Sequence, residues 1–163
     1  MAKVRPPQRF RDDGRSLFDG LDDIRVKCPK CGGAGLIGRI DEAPARTRAH
    51  AFAPRRFQCS ACTHRVEWRG NAVAIGGAHD PYLRFPLQLQ TRTRHGVLYA
   101  YNVAHLDWIE GFVAAGLRER RIEAGMANRS IASRLPAWIK AAKNREEVLR
   151  ALARLRRRLA APA

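Results

Sequence analysis

The chain has 163 residues, a formal net charge of +16 and a pI near 11.2. That length suits one domain, or a small module with a compact partner, and no apolar run approaches the roughly 18 residues a membrane-spanning helix needs. Of the 31 basic residues only Lys3, Lys27, Lys30, Lys140 and Lys143 are lysine; a GC-rich coding bias explains arginine over lysine, but not the shortage of acidic residues.

An excess of this size directs attention to a polyanionic partner, most often nucleic acid. It is spread along the chain: residues 1–27 carry +2, 28–78 carry +5, 79–103 carry +2 and 104–163 carry +7.

Residues 1–23 read as a flexible leader broken by Pro6-Pro7, Gly14 and Gly20. Phe10, Leu17, Phe18 and Leu21 are its means of anchoring to the body or to a partner; a disordered tail is the alternative. The start of the chain has no apolar run to act as a secretion signal. A reducing compartment, the cytoplasm, is therefore expected for the cysteines that follow.

Ile24-Arg25-Val26-Lys27 alternates as a strand does, and Leu36–Ile40 predicts a second strand. Between them lies Cys28-Pro-Lys-Cys31-Gly32-Gly33. A second C-x-x-C, Cys59-Ser-Ala-Cys62, follows the extended segment Arg56-Phe57-Gln58 and leads into His64-Arg65-Val66-Glu67-Trp68. Two thiols three positions apart turn to one point across a tight knuckle, and four thiolates satisfy tetrahedral zinc. Gly32 and Gly33 allow the backbone N–H groups to turn toward the sulfurs. Two disulfides lack secretory context, a redox C-x-x-C normally comes singly, and four unrelated core cysteines leave the repeated spacing unexplained. The expected ligands are Cys28, Cys31, Cys59 and Cys62, holding one Zn²⁺. Such a closed site keeps no position for a catalytic water, so the zinc is structural. His64 is the remote substitute ligand, and His50 is expected to be exposed in the loop from Asp41 to Pro54.

Residues 24–69 resemble a zinc ribbon, the small antiparallel module of basal transcription factors, RNA polymerase subunits and ribosomal proteins. The likeness rests on the first knuckle, on Phe57-Gln58-Cys59, and on the strand ending at Trp68; it covers under a third of the chain. Thr63 departs from it, standing where ribbons usually have glycine. The whole chain is similar to bacterial transcription-factor-type zinc-ribbon proteins with helical tails.

Residues 70–81 form a Gly-rich connector without phosphate-loop spacing. Alternation from Leu87 and again over Val97–Tyr101, around the turn Thr93–Gly96, predicts a hairpin. A first helix is expected from the N-cap Asn102, with Leu106, Ile109, Phe112 or Val113, and Leu117 on one face. Arg118, Arg120 and Arg121 would occupy its last turns, and Gly125 its end. A second helix starts at Pro136, with Trp138 and Ile139 as its contacts. A third starts at Asn144, with Glu147 completing a capping box and a stripe of Val148, Leu152, Leu155 and Leu159 to pack on the first helix. A homodimeric coiled coil is the less favoured use of that stripe. The fold class is thus α+β: a leader at 1–23, a ribbon at 24–69, and a hairpin with a three-helix region at 70–163.

His79 with Asp80, and His105 with Asp107, are the only candidate acid–base pairs. Neither sits in a recognisable motif, and an enzyme is not expected. The favoured function is a nucleic-acid-binding module. Lys30, Arg46, Arg48, Arg55, Arg56, Arg65 and Arg69 on the ribbon, and Arg154, Arg157 and Arg158 near the C-terminus, would contact phosphates. Phe52, Phe57 or Trp68 would stack on bases. The alternative is an adaptor or regulatory subunit docking on a larger, acidic protein partner.

Overall fold

In the computed structural model, which describes residues 9–12, 14, 16–40, 48–120 and 130–160, four alternating segments pair into one antiparallel sheet. In chain order the strands are β1 (Arg9–Asp12), β2 (Ile24–Lys27), β3 (Ala34–Arg39), β4 (Arg55–Cys59), β5 (Arg65–Trp68), β6 (Leu89–Thr93), β7 (Gly96–Ala100) and β8 (Leu117–Arg120). The helices are α1 (Arg48–Phe52), α2 (Val103–Ala114), α3 (Ile131–Arg134), α4 (Ala137–Lys140) and α5 (Arg145–Ala160). The main sheet runs β2-β3-β4-β5, β6 and β7 form a hairpin, and β1 lies parallel to β8.

Period-two alternation sets the faces of the main sheet. Ile24, Val26, Ile37 and Phe57 turn inward and are fully buried, packing with Leu17, Leu21, Tyr82, Leu87 and Tyr101. Burial of each such side chain contributes about 1.5–3 kcal/mol. The outer edge of β2 is not open. Arg25 N–H donates to Tyr101 O at 2.8 Å, Gln88 N–H to Arg25 O at 3.0 Å, and Lys27 N–H to Pro86 O at 2.8 Å. The sheet is thereby stitched to the segment entering the hairpin.

A second core lies on the helical side, where Leu106, Ile109 and Val113 of α2 meet Leu89, Leu98, Val148, Leu152 and Leu155. The α5 stripe packs as its spacing predicts, with Leu159 at its margin. Asn102 caps α2, its Oδ1 accepting from His105 N–H at 2.8 Å.

Four expectations need correction. The first helix ends at Ala114, and residues 117–120 form a strand instead. Leu117-Arg-Glu-Arg alternates, so pairing with β1 decides a segment whose propensity is ambiguous. Arg118 donates to Phe112 O and Lys140 O; Arg121 and Gly125 lie outside the described residues. At the start of α5, Glu147 turns to Arg94 of the hairpin turn, at 2.7 Å, and Asn144 Nδ2 donates to Trp138 O at 3.0 Å, in place of a reciprocal capping box. A short helix that the sequence did not predict, α3, precedes Pro136 and is capped by Ser130. Finally, the described part of the leader is built into the fold. Leu17 and Leu21 are buried, Phe10 packs edge-on to Trp108 and Phe112, and Asn102 Nδ2 donates to the carbonyls of Gly20 and Asp22.

Candidate metal centre

Each knuckle sits at a strand end. The first joins β2 to β3, and its Gly33 N–H points at Cys31 Sγ at 3.4 Å. Gly32 takes φ +73°, and a Cβ on Gly33 would lie 2.8 Å from that of Ala61. Glycine is therefore required at both positions, by backbone conformation at one and by close approach at the other. The second knuckle joins β4 to β5, with Ala61 N–H on Cys59 Sγ at 3.3 Å and Cys59 N–H on His64 O at 3.1 Å. Thr63, where the ribbon likeness expects glycine, needs no positive φ, since Asp23 and Arg84 are the described non-glycine residues that adopt one.

The two knuckles bring all four sulfurs within 4.8 Å of one another. Cys31 and Cys59 lie 3.5 Å apart, and Cys28 and Cys62 3.8 Å. Each joins one knuckle to the other, as in a single four-ligand site, and all four cysteines are free thiols. A tetrahedron with metal–sulfur bonds of about 2.3 Å has sulfur–sulfur edges of about 3.8 Å, so the donor set fits one metal ion. Cys28 and Cys59 are buried, Cys62 is half-buried and Cys31 is exposed.

The thiols already differ in acidity. At Cys59 burial works upward but is outweighed by the N–H groups of Ala61 and Cys62 and by the neighbouring thiols, which set it at about 7. At Cys31 the Gly33 N–H works downward, yet the sulfurs of Cys59 and Cys62 hold the proton and push it up to about 12. Four sulfurs this close resist shared ionisation without a cation.

The basic residues named from sequence divide into distinct groups. Arg55 is corrected outright. It is 0% exposed, donating to Leu21 O at 2.9 Å, His50 O at 3.0 Å and Asp22 Oδ1 at 3.1 Å, over the Tyr82 ring. A residue on the inward side of β4 cannot meet a phosphate; the alternation Arg55-Arg56-Phe57 places it with Phe57. His50, expected in solvent, is buried beside Asp22. Phe57 is likewise buried, against Phe85 and His64, and Trp68 packs on Tyr82, so neither is free to stack on a base. Arg46 and the side chain of Arg48 lie outside the described residues.

Arg56, Arg65, Arg69 and Lys30 do reach the surface. Arg56 and Arg65 lie on the outward face of the main sheet, joined by Arg25 and Lys27, which the sequence reading did not select. Cross-strand register sets Arg25, Leu36, Gln58 and Arg65 in one row, with Lys27 to one side and Arg56 beside Glu67 on the other. Glu67 is one carboxylate of this face, held below its usual range by Arg56 and then Arg69, and Asp23, over Gly38, is another. Arg25, Lys27 and Arg65 have no carboxylate partner among the described residues. Their signal was present in the strand alternation that buries Ile24 and Val26. On α5, Arg154 and Arg158 donate to Arg92 O and Gln90 O along the outer edge of β6, while Arg157 is exposed.

The candidate acid–base pairs have other partners. Asp80 is buried and accepts from the N–H groups of Tyr82, Leu83 and Phe85. Burial pushes its carboxyl above the usual range, against the pull of those N–H groups. Asp107 pairs with Arg156, and His105 Nδ1 accepts from Tyr101 N–H at 3.3 Å.

No protein-family model matches the chain, and neither a curated protein nor a solved structure does.

Proposed function

We propose that Cys28, Cys31, Cys59 and Cys62 hold one structural zinc in a ribbon, and that the sheet so fixed presents its outward face to the phosphate backbone of nucleic acid. The metal assignment follows from ligand chemistry: four thiolates at tetrahedral spacing suit zinc, and they leave no open coordination position for catalysis. Zinc would supply folding energy by pinning the strand ends on which the basic face is mounted.

One observation carries the nucleic-acid reading. Arg25, Lys27, Arg56, Arg65 and Arg69 share a face on which Glu67 lies between Arg56 and Arg69, and Asp23, before β2 and over Gly38, is the other described carboxylate. A flat array of cations around a neutralised acid favours phosphate contacts over base readout, because no large aromatic side chain stands on the row from Arg25 to Arg65. Leu36, 40% exposed at the centre of that row, supports a second reading in which the same face docks on an acidic protein surface. Co-purification with and without nuclease separates the two. Retained nucleic acid that nuclease removes supports the first; one stoichiometric protein surviving nuclease supports the second.

A further inference from the structure

A cavity of about 330 Å³ lies apart from the thiol cluster, between β7, the start of α2 and the α3–α4 segment. That volume is at the lower end of the roughly 300–1,000 Å³ typical of small-molecule sites. Its wall is mostly apolar, with Val97 and Tyr99 side by side on β7 and Ile131 and Ile139 from the α3–α4 segment. Besides the phenol hydroxyls of Tyr99 and Tyr101, two polar side chains interrupt it. His105 has Nδ1 occupied by the Tyr101 N–H. The ring proton therefore sits on Nε2, which has no partner among the described residues. Burial favours the neutral ring, lowering its pKa to about 4, so this group is a lasting N–H donor in a largely apolar wall. Arg134 also lines the cavity, is exposed, and forms no ion pair among the described residues.

We propose that this cavity binds a small carboxylate with a flat apolar body: the carboxylate on Arg134, and an acceptor at the far end of the body on His105 Nε2–H. The apolar wall selects the body, the Arg134 cation selects the charge, and the His105 donor sets the orientation. Nothing in this assignment depends on how the outward face of the main sheet is used.

The test is a titration of the zinc-loaded full chain with 6-hydroxy-2-naphthoate, followed through the His105 imidazole resonances. A ligand of this size is expected to bind with a Kd on the order of 0.1–1 mM. Its neutral amide, 6-hydroxy-2-naphthamide, should bind about tenfold more weakly for want of the charge-assisted pair. Arg134→Gln should abolish that difference. Val97→Trp, at an exposed strand position, should block both ligands while keeping the thermal midpoint of the parent. Any of three results overturns the proposal: no His105 shift at millimolar ligand, unchanged binding in a folded Val97→Trp protein, or equal affinity for acid and amide.

Discussion

The backbone N–H of Arg25 donates to the carbonyl of Tyr101 at 2.8 Å, and this bond joins the thiol-bearing sheet to the residue that leads into α2. A metal held by the four thiols would therefore be coupled to the hairpin through β2. Stripping the metal should release Cys28, fray β2, and free the carbonyls and N–H groups it shares with residues 86–88 and 101. The helical core is a separate cluster and should survive. Cys59→Ser is expected to lose metal and to destabilise by more than about 4 kcal/mol, the range reached when a metal site is lost. Amide exchange should accelerate at Arg25, Lys27 and Gln88 but stay slow at Leu152 and Leu155. Uniform acceleration through α5 would show that the two cores do not separate.

Arg55 is a structural residue. Arg55→Ala leaves the carbonyls of Leu21 and His50 without their donor, each costing about 1–3 kcal/mol when buried. A total loss of about 3 kcal/mol is expected in urea unfolding. Arg56→Ala removes a half-exposed pair with Glu67 and should cost under about 1 kcal/mol. Equal effects of the two substitutions would contradict the burial assigned to Arg55.

His105 makes stability fall in mild acid. Burial lowers its folded pKa from the ordinary 6.5 to about 4. Between those values the unfolded chain binds the proton and the folded chain does not, so acid favours unfolding. The contribution is full above about pH 6.5 and is lost as pH drops toward 4, on the order of 3 kcal/mol in all. Denaturant midpoints at pH 7, 5.5 and 4.5 should fall accordingly, and His105→Gln should flatten that part of the profile.

The parts of the fold with short-range signals were legible. Duplicate C-x-x-C spacing identified the four thiols, alternation located β2 and the hairpin, and Asn102 marked the start of α2. Where the sequence reading failed, a long-range partner made the decision. Residues 117–120 pair with a strand from the other end of the chain, and Glu147 is drawn to Arg94 across the fold. Arg55 was misread because its charge argued for solvent while its place in the alternation argued for the core. The unmet need of buried carbonyls for a donor, invisible locally, resolved that conflict. Arg25 and Lys27 were passed over for the same reason in reverse: they were read as strand formers and not as a surface.

The central claim concerns that surface, and one binding series tests it most directly. The affinity of the zinc-loaded protein for a single-stranded oligonucleotide should be measured from 50 to 300 mM salt, beside the Arg25→Glu/Arg65→Glu variant. If three to five cations of the outward face meet phosphates, log K should fall linearly against log salt with a slope of about −2 to −3.5. The variant, with metal content and thermal midpoint unchanged, should bind weakly and with a slope shallower by about 1.4. No binding at 50 mM salt, or the same affinity and slope in the variant, would contradict the assignment of the outward face to nucleic acid.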